Sequence, residues 1–358
     1  MKGISPKEFR EKLLAWDALH NYREMPWKGE HDPYLVWLSE VILQQTRVAQ
    51  GLPYYLKFKK LYPTVHHLAA SPEDEVLRHW QGLGYYTRAR NLHHTARRVA
   101  WEMGGQFPTC FSELKKLKGV GDYTAAAIAS FVYNEPVAVV DGNVVRVLAR
   151  VFGVDSPMDT PAGMRVFKAL ATKLVCPREP GRYNQAIMDF GSNVCKPSSP
   201  ACDGCVFQRH CVAYRSKSIS ELPHRANKIK IRDRFFYYLL VHNRTHLLLR
   251  KRTGNDIWRH LYELPLVETG KPISHLQITG HIREIGFRPE NTYYISDEIR
   301  QMLSHQKIHF RFIHLMMPVK ILRPVRGTVA VTFDDINRYG FPKTIAAYLH
   351  EFGAMMTA

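Results

Sequence analysis

Four cysteines lie within seventeen residues, in the stretch CKPSSPACDGCVFQRHC, and this stretch constrains the fold more than any other sequence feature. Gaps of six, two and five residues separate Cys195, Cys202, Cys205 and Cys211. The opening residues MKGISPKEFREKLLAWDALH hold no apolar run followed by small residues, so they do not predict a secretory signal. In such a chain, clustered cysteines favour a metal centre over disulfides, and the spacing fits tetrahedral zinc and an iron–sulfur cluster equally well.

The charge of the chain favours a polyanion as its partner. An excess of Lys and Arg gives a formal net charge of +18 over 358 residues. Each lysine or arginine placed on a phosphate releases condensed counterions, so nucleic acid is the leading candidate, and a merely basic enzyme is the alternative. Apolar runs stay short of the roughly 20 residues that a membrane span requires. We therefore expect no membrane association and a cytoplasmic protein, associated with the nucleoid if bacterial.

Helix-start signals dominate the first half of the chain, and the pattern then changes. Asp32–Pro33, Ser71–Pro72 and Thr160–Pro161 each place a capping side chain before a proline, and Gly82 is a stop signal for the second helix. After the basic stretch SKSISELPHRANKIKIR, the residues RFFYYLLVHNRTHLLLRKR predict a strand, an Asn-containing turn and a strand, and HFRFIHLMMPVKIL predicts another strand. We therefore expect a mostly α region followed by an α+β domain that begins near Arg232.

The stretch LKGVGDYTAAA predicts two helices joined by a tight turn. Gly119 and Gly121, on either side of Val120, would let a phosphodiester approach backbone N–H groups at a helix N-terminus, although many helix–helix turns contain glycine for geometry alone. Further on, an apolar run in VAVVDGNVVRVLARVF ends at Asp141, and a helix follows. This pattern makes Asp141 an N-cap, but capping keeps a carboxylate ionised beside a helix and does not exclude a chemical role.

The order of these motifs resembles the helix-hairpin-helix superfamily of DNA glycosylases that carry a [4Fe–4S] cluster. Within that superfamily, DPYLVWLSEVILQQTRV, GLGYYTRARNL and YNQAIMDFGSNVC resemble the adenine DNA glycosylases, the MutY family, which remove adenine mispaired with 8-oxoguanine. The resemblance is dense over residues 7–215 and looser beyond. It implies a [4Fe–4S] cluster on the four cysteines, and a monomer that binds double-stranded DNA containing A/8-oxoguanine or A/G mispairs.

The resemblance implies a chemistry based on two carboxyl groups. Release of adenine needs a proton on the purine and negative charge near an oxocarbenium-like sugar. Glu40 lies in an otherwise apolar helical stretch, where burial would raise its pKa, and it matches the general acid of the family. Asp141 would stay ionised and would either stabilise the sugar cation or bond to it transiently. Asn143 would hydrogen-bond near the carboxyl groups and Tyr123 would lie at the same sugar, although either could be only a capping or packing residue.

Tyr123 also bears on strand cleavage. In bifunctional members of the superfamily a lysine at this position attacks the sugar as an amine, and a tyrosine cannot form that Schiff base. The sequence therefore predicts a monofunctional glycosylase that leaves an abasic site.

Other matches to the family concern the DNA. Extruding a nucleotide leaves a gap in the base stack, and the resemblance places Gln45 and Tyr85 there, with Thr46 beside the lesion. Tyr85 could alternatively be a core aromatic residue. Lys28 and Gln185 align with positions of the adenine pocket, but Lys28 replaces the arginine common in the family and cannot make the same planar contact.

The C-terminal stretches GNDIWRHLYELPLVE and HIREIGF are similar to a Nudix hydrolase fold. The paired glutamates that would hold Mg²⁺ are missing, so this domain is expected to bind rather than hydrolyse. The stretch LSHQKIHFRF resembles the Phe-Ser-His loop with which the family reads 8-oxoguanine, with Leu303 replacing the aromatic residue and Ser304 and His305 retained. His305 could equally be an ordinary surface histidine.

The sequence thus predicts a multidomain protein, with a mostly α helix-hairpin-helix glycosylase region that carries a [4Fe–4S] cluster and an α+β Nudix-like domain. The helical catalytic region is expected to span 1–218, with a hairpin subdomain over 30–135 and a cluster subdomain formed by 1–29 and 136–218. A linker over 219–231, the Nudix-like domain over 232–346 and a tail over 347–358 would follow. Two rival functions stay open: a glycosylase that removes thymine from G/T mismatches, and a non-catalytic, redox-sensing DNA-binding protein.

Overall fold

The computed structural model describes residues 4–22, 24–227, 231–318, 322–325 and 327–357. The chain forms two compact units, Met1–Ala69 with His94–Lys228 and Ala70–His93 with Ile229–Ala358. We call them the helical unit and the sheet unit. Three residues of the expected linker, 228–230, lie outside the described residues. Across the described ranges, no helix combines the length and the apolar character that crossing a membrane requires.

Helices account for the regular structure of the first 215 residues. In chain order they are α1 Pro6–His20, α2 Pro33–Leu43, α3 Val48–Leu61, α4 Val65–Ala70, α5 Glu73–His79, α6 Thr87–Glu102, α7 Phe111–Leu114, α8 Asp122–Tyr133, α9 Gly142–Phe152, α10 Pro161–Leu174, α11 Pro180–Asn193 and α12 Val212–Arg215.

Capping side chains define where these helices begin. Asp32 accepts a hydrogen bond from the Tyr34 N–H at 2.8 Å at the start of α2, and Thr160 accepts one from the Gly163 N–H at 3.1 Å at the start of α10. Both predicted starts are confirmed. The predicted Ser71 cap is wrong, because α5 has Pro72 as its N-cap and makes no side-chain capping bond. Helix α5 ends at His79, before Gly82, which adopts a positive φ of 96°.

Helix α9 is the centre of the helical unit. Its residues Val144 to Val151 are all buried, and α1, α10 and α11 pack around it. The cysteine-rich stretch joins this core through Phe207, whose ring stacks on Phe9 at 4.6 Å between centroids and meets Phe190 edge-on at 5.2 Å. A helix buried on every side holds its ends firmly, so the residue that caps α9 has a fixed position.

The sheet unit contains a mixed sheet. Its strands are β1 Arg232–His242, β2 His246–Lys251, β3 Tyr262–Glu263, β4 Leu266–Thr269, β5 Thr292–Ile295, β6 Ile299–Met302, β7 Gln306–Met316 and β8 Thr328–Thr332. Strands β1 and β7 run parallel in continuous register from Arg232↔Gln306 to His242↔Met316. The strand order is β3-β2-β1-β7-β5, with β4 also pairing with β1, β6 with β7 and β8 with β2.

Each face of this sheet is covered by a helix. Because side chains alternate along a strand, Phe236 and Tyr238 of β1 face one core and Tyr237 and Leu239 face the other. Helix α13 (His275–Glu284) packs on the second core, and α14 (Lys343–Thr357) packs on the first. The predicted strand, turn and strand around Asn243 are confirmed, and the Asn243 side chain accepts hydrogen bonds from the N–H groups of Thr245 and His246.

Two segments pack differently from the boundaries expected from the sequence. Helix α14 continues past residue 346, and its Leu349 and Phe352 are buried in the core of the sheet unit rather than lying in a tail. Within the expected linker, Leu222 is buried against the helical unit, and the N–H groups of Ala226 and Asn227 donate to the Asp159 carboxylate at 2.8 and 2.9 Å. The beginning of that linker is therefore fastened to the helical unit.

Candidate active site

Glu40 lies inside the protein because α2 is apolar on all sides. Residues Tyr34 to Ile42 of this helix are buried, and Glu40 itself is only 7% exposed. Burial raises the pKa of Glu40 to about 7; a hydrogen bond from the Tyr123 side chain lowers it, and the charge of Asp141 raises it. A carboxyl group with this pKa holds a proton through much of the neutral range and can donate it.

Asp141 caps α9, as the sequence predicts. One carboxylate oxygen accepts the Val144 N–H at 2.7 Å, and the other accepts the Asn143 side-chain amide at 2.8 Å. Burial raises the pKa of Asp141 above its ordinary value, while these hydrogen bonds and the Arg146 charge act in the opposite direction. The sequence alone suggests only the stabilising cap, because it does not reveal how deeply this carboxylate is enclosed.

Tyr123 links the two carboxyl groups to α11. Burial, together with the charges of Glu40 and Asp141, raises the pKa of Tyr123 well above its usual range, so the phenol stays neutral and can donate. Its hydroxyl lies 3.5 Å from the Met188 sulfur on α11. The structure therefore brings together all the residues that the sequence proposes for catalysis, which are Glu40, Tyr123, Asp141 and Asn143.

A buried carboxylate gathers the two residues predicted for the base pocket. Asp189 is 2% exposed, and its Oδ2 accepts hydrogen bonds from Lys28 at 3.5 Å, Gln185 at 3.1 Å and Asn21 at 3.0 Å. Gln185, Met188 and Asp189 share one face of α11 through their spacing of three and four residues. Sequence reasoning missed Asp189, although an acidic residue in the apolar setting AIMDFG was a usable signal.

Asn184 fixes the segment that leads to Asp141. It is fully buried, its amide nitrogen donates to the Ser130 hydroxyl at 2.9 Å and the Val137 carbonyl at 2.8 Å, and its oxygen accepts the Val139 N–H at 3.1 Å. Residues 134–141, between α8 and α9, form neither helix nor strand, so the Asn184 side chain pairs backbone groups that no ladder would pair. Sequence reasoning missed this residue as well.

Two residues predicted to enter the DNA stack have unusual backbones. Gln45 of the helical unit has φ = 54° and is exposed, and Tyr85 of the sheet unit has φ = 47° and is 49% exposed. Non-glycine residues rarely adopt positive φ, and such strain is concentrated at functional sites. Tyr85 is therefore not a core aromatic residue. Thr46 is partly buried, and its hydroxyl donates to the Gln44 carbonyl at 3.3 Å.

The predicted hairpin lies between α7 and α8. Gly119 has φ = 80°, which requires glycine, and Gly121 is the N-cap of α8 with no atom within 4 Å of an added Cβ. Val120 is buried and anchors the turn, and the Thr95 hydroxyl donates to the Lys118 carbonyl at 2.8 Å. The glycine backbone is consequently exposed on a fixed support, as a phosphate site at a helix N-terminus needs.

The predicted reading loop is the turn between β6 and β7. The Leu303 N–H donates to the Gln306 carbonyl at 2.7 Å, and Ser304 and His305 are exposed at the tip. Leu303 is partly buried and packs against the core of the sheet unit, so it supports the turn. The Ser304 hydroxyl is hydrogen-bonded to the Tyr85 hydroxyl within the same unit.

The four clustered cysteines line one cavity in the helical unit. Burial raises the pKa of the Cys205 thiol to about 11, and the neighbouring cysteines add to this effect. The Arg150 guanidinium from α9 lies 3.6 Å from the Cys195 sulfur and donates to the Lys196 carbonyl at 2.7 Å. Within the described ranges, no three Cys, His, Asp or Glu side chains form a ready site for a metal ion. Neighbouring thiolates repel one another, and the Arg150 guanidinium offsets this repulsion only in part. A positively charged group that binds several thiolates would therefore suit this cavity.

Arg146 connects this cysteine loop to the catalytic candidates. Its guanidinium donates to the Cys195 carbonyl at 2.6 Å, the Gly191 carbonyl at 2.5 Å and the Asn143 side-chain oxygen at 2.9 Å. The position of Asn143, and through it that of Asp141, is thus supported from the cysteine loop.

Two protein families match consecutive stretches of the chain. The HhH-GPD superfamily of base excision DNA repair proteins matches residues 38–171, and the NUDIX domain matches residues 236–351. The adenine DNA glycosylase of Buchnera aphidicola subsp. Baizongia pistaciae is 31% identical over 345 residues, which cover 94% of this chain and 94% of that protein. The chain belongs to the adenine DNA glycosylase family. The resemblance, the enzyme class and the fold class predicted from the sequence are thereby confirmed.

Matches over shorter stretches agree with this membership of the adenine DNA glycosylases. The mouse adenine DNA glycosylase is 41% identical over 230 residues, which cover 61% of this chain and 44% of that protein. Among solved structures, a thermostable thymine-DNA glycosylase matches with a TM-score of 0.55 and 29% identity, over 59% of this chain and 97% of that one. The glycosylase fold thus recurs in a protein named for a different base.

Proposed function

We propose that this adenine DNA glycosylase is monofunctional: it extrudes adenine mispaired with 8-oxoguanine or guanine from double-stranded DNA and hydrolyses the glycosidic bond. It acts as a monomer in the cytoplasm and leaves an abasic site. The observation that carries the proposal is the buried Glu40 carboxyl group with a pKa of about 7, hydrogen-bonded to Tyr123 and close enough to feel the charge of Asp141. Paired carboxyl groups in unlike surroundings serve glycoside cleavage.

In the proposed mechanism the two carboxyl groups have opposite tasks. Glu40 donates its proton to the purine ring, which makes adenine a better leaving group. Asp141 presents a negative charge to the sugar as positive charge develops there, and Asn143 holds that carboxylate in one orientation. Tyr123 keeps its proton and hydrogen-bonds at the same site, and because a phenol cannot form a Schiff base the strand is not cut.

The proposed base pocket uses Asp189 as its organiser. With Lys28, Gln185 and Asn21 all donating to one carboxylate, these side chains keep fixed positions around the extruded base. Lys28 is thus an ion-pair partner of Asp189 rather than a planar contact to adenine, which accounts for the tolerance of lysine at this position.

The proposal also assigns residues that contact the duplex. The exposed glycine backbone around Val120 binds a phosphate, and Gln45 and Tyr85 fill the gap in the stack, with Thr46 beside them. Ser304 and His305 read the 8-oxoguanine base from the exposed turn, and Leu303 supports that turn from below.

The four cysteines are proposed to hold a [4Fe–4S] cluster. The cavity that they line and the guanidinium beside Cys195 support this assignment. When bound, the cluster would hold the basic loop around Lys196 in place through its Cys195 thiolate, while Arg150 and Arg146 fasten the same loop to α9. Purified protein should contain iron and acid-labile sulfide in equal amounts, and zinc at stoichiometric level would reject the cluster.

Base release from defined duplexes tests the whole proposal. The protein would be given duplexes with adenine opposite 8-oxoguanine, adenine opposite guanine, and thymine opposite guanine, each followed by alkali to cut abasic sites. We expect cleavage at adenine in the first two and none without alkali. Cleavage at thymine alone would favour the activity named for the structurally similar thymine-DNA glycosylase, and binding without any cleavage would leave a DNA-binding protein.

A further inference from the structure

The segment that carries Tyr85 belongs to the sheet unit, although in sequence it interrupts the helical unit. We call residues Ala70–His93 the Tyr85 segment. At the start of α5, the Asp74 carboxylate lies 2.5 Å from the Lys251 ammonium of β2, and the Glu73 carboxylate lies 2.5 Å from the ring of His260. These two contacts join acidic side chains in the first turn of α5 to Lys251 and His260 of the Nudix-like fold.

A second set of contacts joins the Tyr85 segment to Gly340 and Phe341, near the C-terminal end of α5. The Phe341 N–H donates to the Gln81 side chain at 3.0 Å, and the Tyr86 hydroxyl donates to the Phe341 carbonyl at 3.3 Å. Gly340 approaches α5 so closely that a Cβ there would lie 3.3 Å from the Arg78 backbone nitrogen. The segment is therefore held at the start of α5 and again near the end of α5, and Tyr85 follows in an exposed position.

Tyr85 needs such support because its backbone is strained. Its positive φ of 47° is unfavourable for a residue with a side chain, and strained residues persist where their surroundings hold them. Its hydroxyl is hydrogen-bonded to Ser304 in the exposed turn between β6 and β7. The aromatic ring and the polar turn are consequently presented together by one compact unit.

We propose that the Asp74–Lys251 ion pair and the Glu73–His260 hydrogen bond position Tyr85 against Ser304 and thereby set the discrimination between 8-oxoguanine and guanine opposite adenine. This inference rests on the proposed function. The two opposing bases differ in a few polar atoms, so telling them apart requires a stacking ring and hydrogen-bonding groups at a fixed separation. Lys251 and Asp74 are partly exposed, and pairs of this kind add little to stability, so positioning can be lost while the fold remains.

Charge exchange across the first pair tests the proposal in the full-length protein. Lys251→Asp and Asp74→Lys each place like charges together, and the double variant restores opposite charges. Single-turnover rates would be measured at saturating enzyme with adenine opposite 8-oxoguanine and opposite guanine. We expect each single variant to lower the ratio of the two rates about tenfold, because a misplacement of about 1 Å of a positioned group can cost about 10²-fold and this change is smaller. The rate opposite guanine should stay within about twofold of wild type.

The double variant is the decisive member of this set, because a general loss of stability would not be reversed by exchanging the charges. It should recover most of the lost ratio. Arg283→Glu is the matched control: Arg283 forms an exposed ion pair with Glu290 at 3.4 Å in the same unit and is remote in sequence from the Tyr85 segment. Its rate ratio should stay unchanged. Lys251→Gln, which removes the pair without repulsion, should give a smaller fall and serves if Lys251→Asp does not fold.

Failure of this inference is distinguishable from failure of the proposed function. If wild type prefers 8-oxoguanine and the Lys251 and Asp74 variants keep that preference, or the double variant recovers nothing, the positioning role is wrong. If wild type releases adenine equally opposite both bases, there is no discrimination for these contacts to set, and the positioning role is again wrong. If wild type releases no adenine, the proposed function itself is wrong.

Discussion

Glu40 and Asp141 are both buried carboxyl groups, yet the hydrogen bonds that they receive differ. Asp141 accepts a backbone N–H and an amide N–H and has Arg146 nearby, and all three favour its charged form. Glu40 receives one hydrogen bond, from Tyr123, and feels the negative charge of Asp141, which favours its protonated form. The surroundings therefore assign the proton to Glu40 and the charge to Asp141.

Replacing Glu40 by glutamine should stop base release while leaving DNA binding largely intact. Glutamine keeps the shape of the side chain but has no acidic proton, and general acid catalysis typically contributes 10²–10⁴-fold, so we expect a fall of about 10³-fold or more. The measurement is single-turnover release of adenine together with a binding titration on lesion DNA. Glu102→Gln, an exposed site on α6, is the control. Loss of binding by the Glu40 variant would instead indicate a structural role.

The pH dependence of base release should follow the proton on Glu40. Because the acid must be protonated, the rate should be present below pH 7 and fall about tenfold per pH unit above the pKa of about 7. Tyr123→Phe removes a hydrogen bond that lowers this pKa, so the alkaline limb should move to higher pH. Single-turnover pH profiles of both proteins would measure this shift. If the alkaline limb lies at the same pH in wild type and Tyr123→Phe, ionisation of Glu40 does not cause it.

Among the helices, the close approach of α9 and α11 sets the position of the catalytic carboxylate. A Cβ on Gly191 of α11 would lie 2.7 Å from the Asn143 Cβ and 2.9 Å from the Asn143 carbonyl oxygen. No side chain fits there without moving the first turn of α9, which carries Asn143 and follows Asp141. Glycine is thus required at this position for packing and not for its backbone angles.

Gly191→Ala should therefore lower both stability and activity. Overpacking a core typically costs about 1–3 kcal/mol, and displacement of Asp141 should slow base release by about 10²-fold. Chemical denaturation and single-turnover kinetics would measure the two effects. Gly280→Ala is the matched control, because Gly280 lies on the exposed face of α13 with no atom within 4 Å of its added Cβ. Alanine there should stabilise that helix by up to about 1 kcal/mol. Equal effects of the two variants would show that contact with Asn143 is unimportant.

The features of the structure that sequence predicts well are those with local causes. The start of α2 at Asp32, the cap of α9 at Asp141 and the turn between β1 and β2 at Asn243 each depend on residues a few positions apart. Asn184 and Asp189 acquire their roles from partners 45 and 161 residues away, such as Val139 and Lys28, and no local pattern encodes those contacts. Their burial is predictable from the apolar neighbours, but their hydrogen bonds are not.

For the whole molecule, the domain boundaries expected from sequence motifs differ from the boundaries of the two compact units. The Tyr85 segment follows the order of the glycosylase motifs, yet it packs in the sheet unit through side-chain contacts between residues 177 and 187 positions apart. Helix α14 likewise completes the sheet core beyond the end of the recognisable Nudix-like pattern. Truncation of the chain near residue 225 would therefore remove both the reading turn and the support of Tyr85.

The sheet unit also contains a chain of hydrogen bonds between two buried histidines and two tyrosines. The Tyr293 hydroxyl lies 3.0 Å from His242 Nε2 and 3.1 Å from His314 Nδ1, and His314 Nε2 lies 2.7 Å from the Tyr348 hydroxyl. Burial lowers the pKa of His314 to about 4 and also lowers that of His242. Both rings are therefore neutral in the folded protein across the physiological range.

This chain of hydrogen bonds should make the sheet unit sensitive to acid. A histidine whose pKa is lower folded than unfolded adds stability above the unfolded value of about 6.5, and this stability is lost as the pH falls from 6.5 to about 4. For His314 the loss amounts to about 3 kcal/mol at pH 4. Hydrogen exchange in the full-length protein should therefore show β1 and β7 losing protection between pH 6.5 and 4. His314→Gln should flatten that dependence, and His350→Gln, on the exposed side of α14, should leave it unchanged. Equal slopes in wild type and His314→Gln would mean that other groups, such as the carboxylates paired with Arg234, cause the acid sensitivity.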